Sequence, residues 1–337
     1  MNFETKYLGL SLKNPIIVGA SNLVTDVKIL KKLEEAGAAA IVYKSLFEEQ
    51  INLENLQLEE DLTQYDDRHA EMTSLFPSDV YEAGPDEFLM HFKEAREAVN
   101  IPLIASLNAV FDDTWYEYAK KLEEAGADAL ELNFYNNPRE FDLEGRAIIK
   151  EELDVIKGVK EVVNIPVSVK LSPYYTNILY TVKEMENVGA QGFVLFNRLF
   201  QPDIDINREE MHFPYNLSQE QDNRLPLRYA GVLYGNTKAD VCANSGIFTG
   251  EDVIKMLLAG ANVVQVVSTL YKHGPQQISK MLEDMEIWMA NKEYANINEF
   301  RGNLSKKSVK DPYAYRRAQY VDILMKSGEI FKKYPII

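Results

Sequence analysis

A repeat limits what this chain can fold into more than any other feature. Four segments end a helix on Gly-Ala and continue into an apolar strand. They are EEAGA from Glu34 to Ala38, EEAGAD from Glu123 to Asp128, ENVGAQ from Glu186 to Gln191 and LLAGAN from Leu257 to Asn262. Glycine after a helix suits a left-handed C-cap. A second kind of junction alternates with the first: Val99-Asn100-Ile101-Pro102 and Val163-Asn164-Ile165-Pro166, each with proline near a strand start. Gly126 and Gly189 bracket one such junction, and so two strand–helix units of roughly thirty residues apiece. Gly37 to Gly126 holds two units and an insertion, and Gly189 to Gly260 two units and a smaller insertion. One unit precedes Gly37, and one strand follows Gly260.

The count reaches eight. The predicted strands are Pro15–Ala20, Ala39–Lys44, Leu103–Leu107, Ala129–Asn133, Val167–Leu171, Gly192–Phe196, Asp240–Asn244 and Val263–Val267. They are short, apolar and separated by helices, as in a parallel sheet covered on its outside. Eight units in a row favour closure over an open doubly wound sheet. The expectation is an α/β fold, a TIM (β/α)8 barrel over residues 1–291, with a C-terminal helical extension over residues 292–337. The extension should carry a helix from Pro312 to Lys326 and pack on the barrel or at a subunit interface. Loop insertions follow strand two (Glu48 to Gly84) and strand six (Arg198 to Arg224), at the end of the barrel where active sites are built.

Composition removes several function classes. The formal charge of -16 argues against nucleic acid and against anionic lipid. No basic leader followed by an apolar stretch is evident, and no apolar run is long enough to span a bilayer. The single cysteine, Cys242, excludes an internal disulfide and fits a reducing cytoplasm. No metal-ligand spacing and no four-cysteine iron–sulfur pattern is present, so no metal is expected.

Polar residues sit where the strands end: Lys44, Asn108, Asn133, Lys170 and Asn197. Strand alternation puts Ser168, Lys170 and Ser172 on one face of strand five, and separates Glu131 and Asn133 from Leu130 and Leu132. Three amides and two ammonium groups around one mouth can hydrogen-bond a planar heterocycle, and a lysine beside such a ring stabilises negative charge on it. Strands seven and eight bear Ser245-Gly246 and Ser268-Thr269 in their following turns, where α/β barrels often hold a phosphate. A flat polar ring carrying a phosphate points to flavin mononucleotide, FMN. Two other readings of the same residues stay open. One is a Schiff-base aldolase or lyase with Lys170 or Lys44 as nucleophile. The other is a flavin-binding protein without catalysis.

Over most of Leu8 to Glu283 the chain resembles the dihydroorotate dehydrogenase family, in its soluble class-1-like branch. Asn14-Pro15 through Gly19-Ala20-Ser21 is similar to the family's first-strand motif, Lys44-Ser45 to its Lys-Ser pair, and Glu131-Leu132-Asn133 to its Glu-Leu-Asn motif. Lys170-Leu171-Ser172-Pro173-Tyr174 resembles the flavin-contacting lysine motif. Asn197 falls at the asparagine after strand six. Asn244-Ser245-Gly246-Ile247 and Ser268-Thr269 fall at the two phosphate turns. The resemblance implies hydride transfer between a dihydroorotate-like substrate and FMN. It implies cofactor contacts from Ala20, Ser21, Lys44, Ser45, Asn108, Asn133, Lys170, Asn197, Ser245, Gly246, Ser268 and Thr269. It implies substrate contacts from Lys44, Ser74, Asn133 and Asn197, a homodimer, and room for an electron-transfer subunit.

Two runs depart from the family. Its base, a cysteine or serine after Glu-Leu-Asn, is replaced within Phe134-Tyr135-Asn136-Asn137-Pro138 by Asn136, an amide that cannot serve as a general base at neutral pH. Its substrate loop is represented only by Met72-Thr73-Ser74-Leu75-Phe76-Pro77. Lys170 and Lys44 remain as catalytic candidates. Ser74, Tyr135, Tyr175, His69, His91 and His212 are the alternative polar side chains in or near the loops, and Cys242, inside a strand, reads as packing.

Overall fold

In the computed structural model, residues 1–48, 85–109, 111–134, 141–198, 203–212, 217–316 and 318–326 are described, together with 328 and 332. The eight predicted strands are all present. They are β1 (Ile16–Val18), β2 (Ala40–Val42), β3 (Leu103–Asn108), β4 (Ala129–Asn133), β5 (Val167–Leu171), β6 (Gly192–Leu195), β7 (Asp240–Asn244) and β8 (Val263–Val266). Each pairs in parallel with its neighbours. Val264 against Ile16 joins β8 to β1, and Val42 against Ile104 joins β2 to β3, so the sheet closes on itself. Leu46–Phe47 continues along β3 beyond β2. A closed parallel sheet ringed by helices is a (β/α)8 barrel.

Side-chain alternation divides the core in two. Ile16, Val18, Ile41, Leu130, Leu132, Val167 and Val169 point outward into the layer between strands and helices. Ile17, Ala40, Val42, Ile104, Ala129, Val194, Cys242 and Val263 point into the lumen. The lumen is stoppered from below by a hairpin absent from the sequence reading, Thr5–Tyr7 with Leu10–Leu12. Tyr7, Leu8 and Leu12 are buried with the inward set. Asp240 Oδ2 accepts the Leu8 N–H at 2.8 Å, tying the stopper to the start of β7. Gly192 lets it approach: a Cβ there would meet Leu8 Cδ2 at 2.6 Å.

The four Gly-Ala glycines take the predicted left-handed conformation, with φ of 106° at Gly37, 98° at Gly126, 114° at Gly189 and 125° at Gly260. A glutamate in three of the same segments makes a further bond. Glu34 Oε1 accepts the Asn100 N–H at 3.0 Å, Glu123 Oε1 accepts the Asn164 N–H at 2.8 Å, and Glu186 Oε1 accepts the Lys238 N–H at 3.0 Å. Each ties the helix end before one strand to the junction before the next. Arg96 and Lys160 complete the two Asn-Ile-Pro junctions by donating to the carbonyls of Ile101 and Ile165.

One expected helix changes, and elements beyond the predicted strands are added. After β8 the chain forms helix Ser268–His273 and then helix Gln277–Asn291. Gly274, at φ 77°, and Pro275 divide the two. The helix expected from Pro312 to Lys326 is a 3-10 turn, Pro312–Tyr315, followed by Ala318–Met325. Extended Arg316 (ψ 157°) breaks it, while Tyr315 Oη is held by the Leu304 carbonyl at 2.6 Å. The second insertion contains a short hairpin, Asp203–Asp205 with Glu210–His212. The first insertion lies outside the described residues from 49 to 84. From Ile297 to Leu304 the chain stays on the barrel: Ile297 and Phe300 are buried, and Gly302 and Leu304 donate to the Leu257 and Leu258 carbonyls. Among the described residues no helix is long and apolar enough to cross a membrane.

If the stopper holds the lumen together, Tyr7→Ala should destabilise the protein by ~3–5 kcal/mol, the usual cost of truncating a buried aromatic. The urea midpoint of the variant against the parent measures it.

Candidate active site

The C-terminal ends of the strands surround a cavity of about 610 Å³. Its volume falls in the ordinary range for small-molecule and cofactor sites. The barrel supplies its wall strand by strand. Ala20 and Ser21 follow β1, and Lys44 and Ser45 follow β2. Asn108, Asn133 and Lys170 lie on β3, β4 and β5. Asn197 follows β6, Ser245 and Gly246 follow β7, and Ser268 follows β8. Eleven of the twelve residues expected to contact a cofactor thus line one space.

The amides are held by one another. Asn197 Nδ2 donates to Asn133 Oδ1 at 2.5 Å, and Asn108 Nδ2 donates to the Asn133 carbonyl at 2.8 Å. Ser45 and Ser106 share a hydrogen bond of 2.7 Å, which fixes Ser45 against β3. Among the described residues, two buried polar atoms at the cavity have no hydrogen-bond partner, Ser21 Oγ and Gln265 Oε1. Buried polar groups are normally hydrogen-bonded, so these atoms suit contact with a bound molecule.

At the opposite end, Ser245 and Gly246 both have positive φ, 73° and 68°. A non-glycine residue in that region carries backbone strain, a feature that clusters at ligand sites. The turn is braced from outside. Asn223 Nδ2 donates to the Gly246 carbonyl at 3.2 Å, and a Cβ on Gly246 would lie 2.4 Å from the Asn223 nitrogen. Ser268 Oγ accepts the Ser218 N–H at 2.9 Å. Thr269 is turned away: its Oγ1 donates to the Phe248 carbonyl at 3.3 Å, behind the wall.

The sequence reading did not single out Arg198 and Gln265, and both line the cavity. Arg198 Nη1 donates to Asp222 Oδ2 at 2.6 Å, and the same oxygen accepts the Gln219 N–H at 2.9 Å. Gln265 could have been found. It is the one polar residue in an apolar strand, Val263–Val266, at a lumen-facing position. Arg198 carried no such signal, because its place depends on the turn that holds Asp222.

The charged residues described in the wall are Lys44, Lys170 and Arg198, with no carboxylate among them. Two of these cations are paired from behind, Arg198 with Asp222 and Lys170 with Glu131, so the wall presents partly offset positive charge in a chain of net charge -16. Beneath it, Lys170 Nζ lies 3.7 Å from Glu131 Oε1. Burial pushes the Cys242 thiol well up, so it stays protonated in the lumen. Ser74, His69, Tyr135 and Asn136 fall outside the described residues. His212 is exposed on its hairpin and His91 is half-buried on the Pro85–Ala98 helix; neither lines the cavity. Tyr175 does not line it either: its hydroxyl donates to Glu152 at 2.8 and 2.9 Å.

A sequence profile described as dihydroorotate dehydrogenase matches residues 78–289. The chain is 26% identical over 306 residues to a Thermoplasma acidophilum protein named dihydroorotate dehydrogenase B (NAD(+)), catalytic subunit, spanning 89% of this chain and 98% of that one. The Thermoplasma volcanium protein of the same name is 28% identical with the same coverage. A Lactobacillus helveticus protein named dihydroorotate dehydrogenase A (fumarate) is 31% identical over 203 residues, 56% of this chain and 65% of that one.

Two outcomes test this geometry. Gly246→Ala should cost ~1–3 kcal/mol in the denaturation midpoint, the scale of one strained residue, and release whatever the turn holds. Glu152 gives a pH effect. Burial raises its carboxyl to about 7 against an ordinary value of 4.5, opposed by the Tyr175 hydrogen bond. The folded protein therefore binds this proton more tightly than the unfolded chain, and the stability it adds is lost as pH rises from 4.5 through about 7. Glu152→Gln should remove that loss, on the order of 2 kcal/mol, when denaturation midpoints at pH 5 and pH 8 are compared.

Proposed function

Because this chain belongs to the dihydroorotate dehydrogenase family, we propose that it is an FMN-dependent oxidoreductase acting on a dihydroorotate-like substrate. The observation that carries the reading is the single cavity shared by the polar strand ends and the strained Ser245-Gly246 turn. Bound FMN would supply a two-electron acceptor at its ring N5 for hydride from a substrate C–H bond.

The residues fit that group on their own chemistry. Ser245, Gly246 and Ser268 line the end suited to a phosphate. The unpartnered Ser21 Oγ and Gln265 Oε1 offer contacts to a polar ring. Lys170 offers the positive charge that such a ring needs when it gains electrons. Asn133 and Asn197, already joined to each other, hold a fixed hydrogen-bonding edge, so an entering ligand meets donors and acceptors in place. Lys44 is the wall cation placed to recognise a substrate anion, beside Arg198, which Asp222 holds.

None of the described residues of the wall is a carboxylate, imidazole, thiol or phenol. The position expected to carry the base is Asn136, outside the described residues. The aldolase reading has no support from the relatives, whose names are all those of dehydrogenases. Relatives named as a catalytic subunit of an NAD(+) enzyme support an electron-transfer partner for this chain, and one named for fumarate supports a small-molecule acceptor.

Purified protein should be yellow and release FMN on denaturation, and anaerobic dihydroorotate should bleach it. Lys170→Ala should lower FMN retention at least tenfold. A colourless protein that takes up no FMN overturns the reading; a yellow one that dihydroorotate leaves unbleached overturns the substrate.

A further inference from the structure

Glu131 lies directly below the site, yet no step proposed above uses it. It stands on β4, one residue pair before Asn133 and on the same lumen-facing side. It is 1% exposed and does not reach the cavity wall. Its Oε2 accepts the Gln265 amide N–H at 2.5 Å from β8. Its Oε1 accepts no hydrogen bond and lies 3.7 Å from Lys170 Nζ on β5. Gln265, Glu131 and Lys170 thus form a chain across the lumen, and its two ends, Gln265 and Lys170, both line the cavity.

We propose that Glu131 is a positioning residue that sets how strongly Lys170 favours the reduced cofactor, an inference that rests on the flavin reading above. A buried carboxylate is costly to keep, and one with an unused oxygen more so. Here that oxygen faces an ammonium rather than a donor in hydrogen-bond contact. The distance leaves Lys170 free to lean toward the cavity while its charge is partly offset from beneath. An ammonium beside a ring that gains electrons stabilises the reduced form. A carboxylate behind that ammonium weakens the effect. The pair therefore acts as one graded charge: Lys170 draws the cofactor toward reduction, and Glu131 holds it back. Cys242 registers the same charge, since burial first and Glu131 second push its thiol up. The alternative is a carboxylate that only holds Lys170 and Gln265 in place.

The two roles separate in a redox titration. Glu131→Gln keeps the shape and the contact to Gln265 and removes the charge. The equilibrium between oxidised and reduced flavin should shift at least tenfold toward reduced, about 30 mV more positive for a two-electron couple. Lys170→Gln should shift it the other way. In the double variant the Glu131→Gln shift should shrink, because it acts through the lysine. Should Glu131→Gln fail to fold or to hold flavin, Glu131→Asp, which draws the charge back, should give a smaller shift of the same sign. An unchanged potential in the variant that holds flavin overturns the proposal, as does a full-sized shift without Lys170. A parent protein that binds no flavin overturns the flavin reading itself, and is told apart by its missing visible bands.

Discussion

Closure of the parallel sheet governs everything else in this molecule. A parallel strand left at an edge exposes a row of backbone donors and acceptors, and the register of Val264 against Ile16 removes that edge. Closure also fixes the two faces. Once Ile16 and Val18 point to the helices, Ile17 must enter the lumen, and the same alternation forces Ser168, Lys170, Glu131 and Gln265 inward on their strands. The polar centre of the barrel is therefore a consequence of its apolar jacket.

The lumen is layered by height. At the bottom, the hairpin stopper and small or branched residues fill it as an ordinary core. In the middle sit Glu131, Gln265 and Ser168, buried and polar. At the top the asparagines and lysines open into the cavity. The described polar residues of the cavity wall come largely from strand ends, which a closed barrel holds rigidly. The brace from Asp222 to Arg198, and from Asn223 to Gly246, extends that rigidity to the turn after β7.

Much of this was legible in the sequence, and the reason lies in periodicity. Glycine at helix ends and alternation along strands are local signals, so the eight strands and the faces of Lys170 and Asn133 could be read directly. The stopper was missed because Thr5–Tyr7 and Leu10–Leu12 are three-residue strands, too short for a periodic signal. The tail helix was split because Tyr315 is captured by Leu304, a contact no local pattern encodes. Arg198 was missed for the same reason: its partner lies across a turn. Thr269 reads like Ser268 by sequence, yet one side chain bonds Ser218 and the other Phe248, since adjacent residues at the start of a helix face different ways.

The helix-end glutamates give the barrel an asymmetry between its two ends. Glu34, Glu123 and Glu186 stitch the lower rim, each fastening one junction to the next. The upper rim, from which both long insertions depart, is held differently: Glu48 Oε2 accepts the Phe111 N–H at 3.0 Å and Asn244 Nδ2 donates to the Phe196 carbonyl at 3.2 Å. A lineage can lengthen, shorten or rewrite those upper loops without loosening the seam below. Change in the loops above can thus leave both the lower seam and the polar strand ends in register.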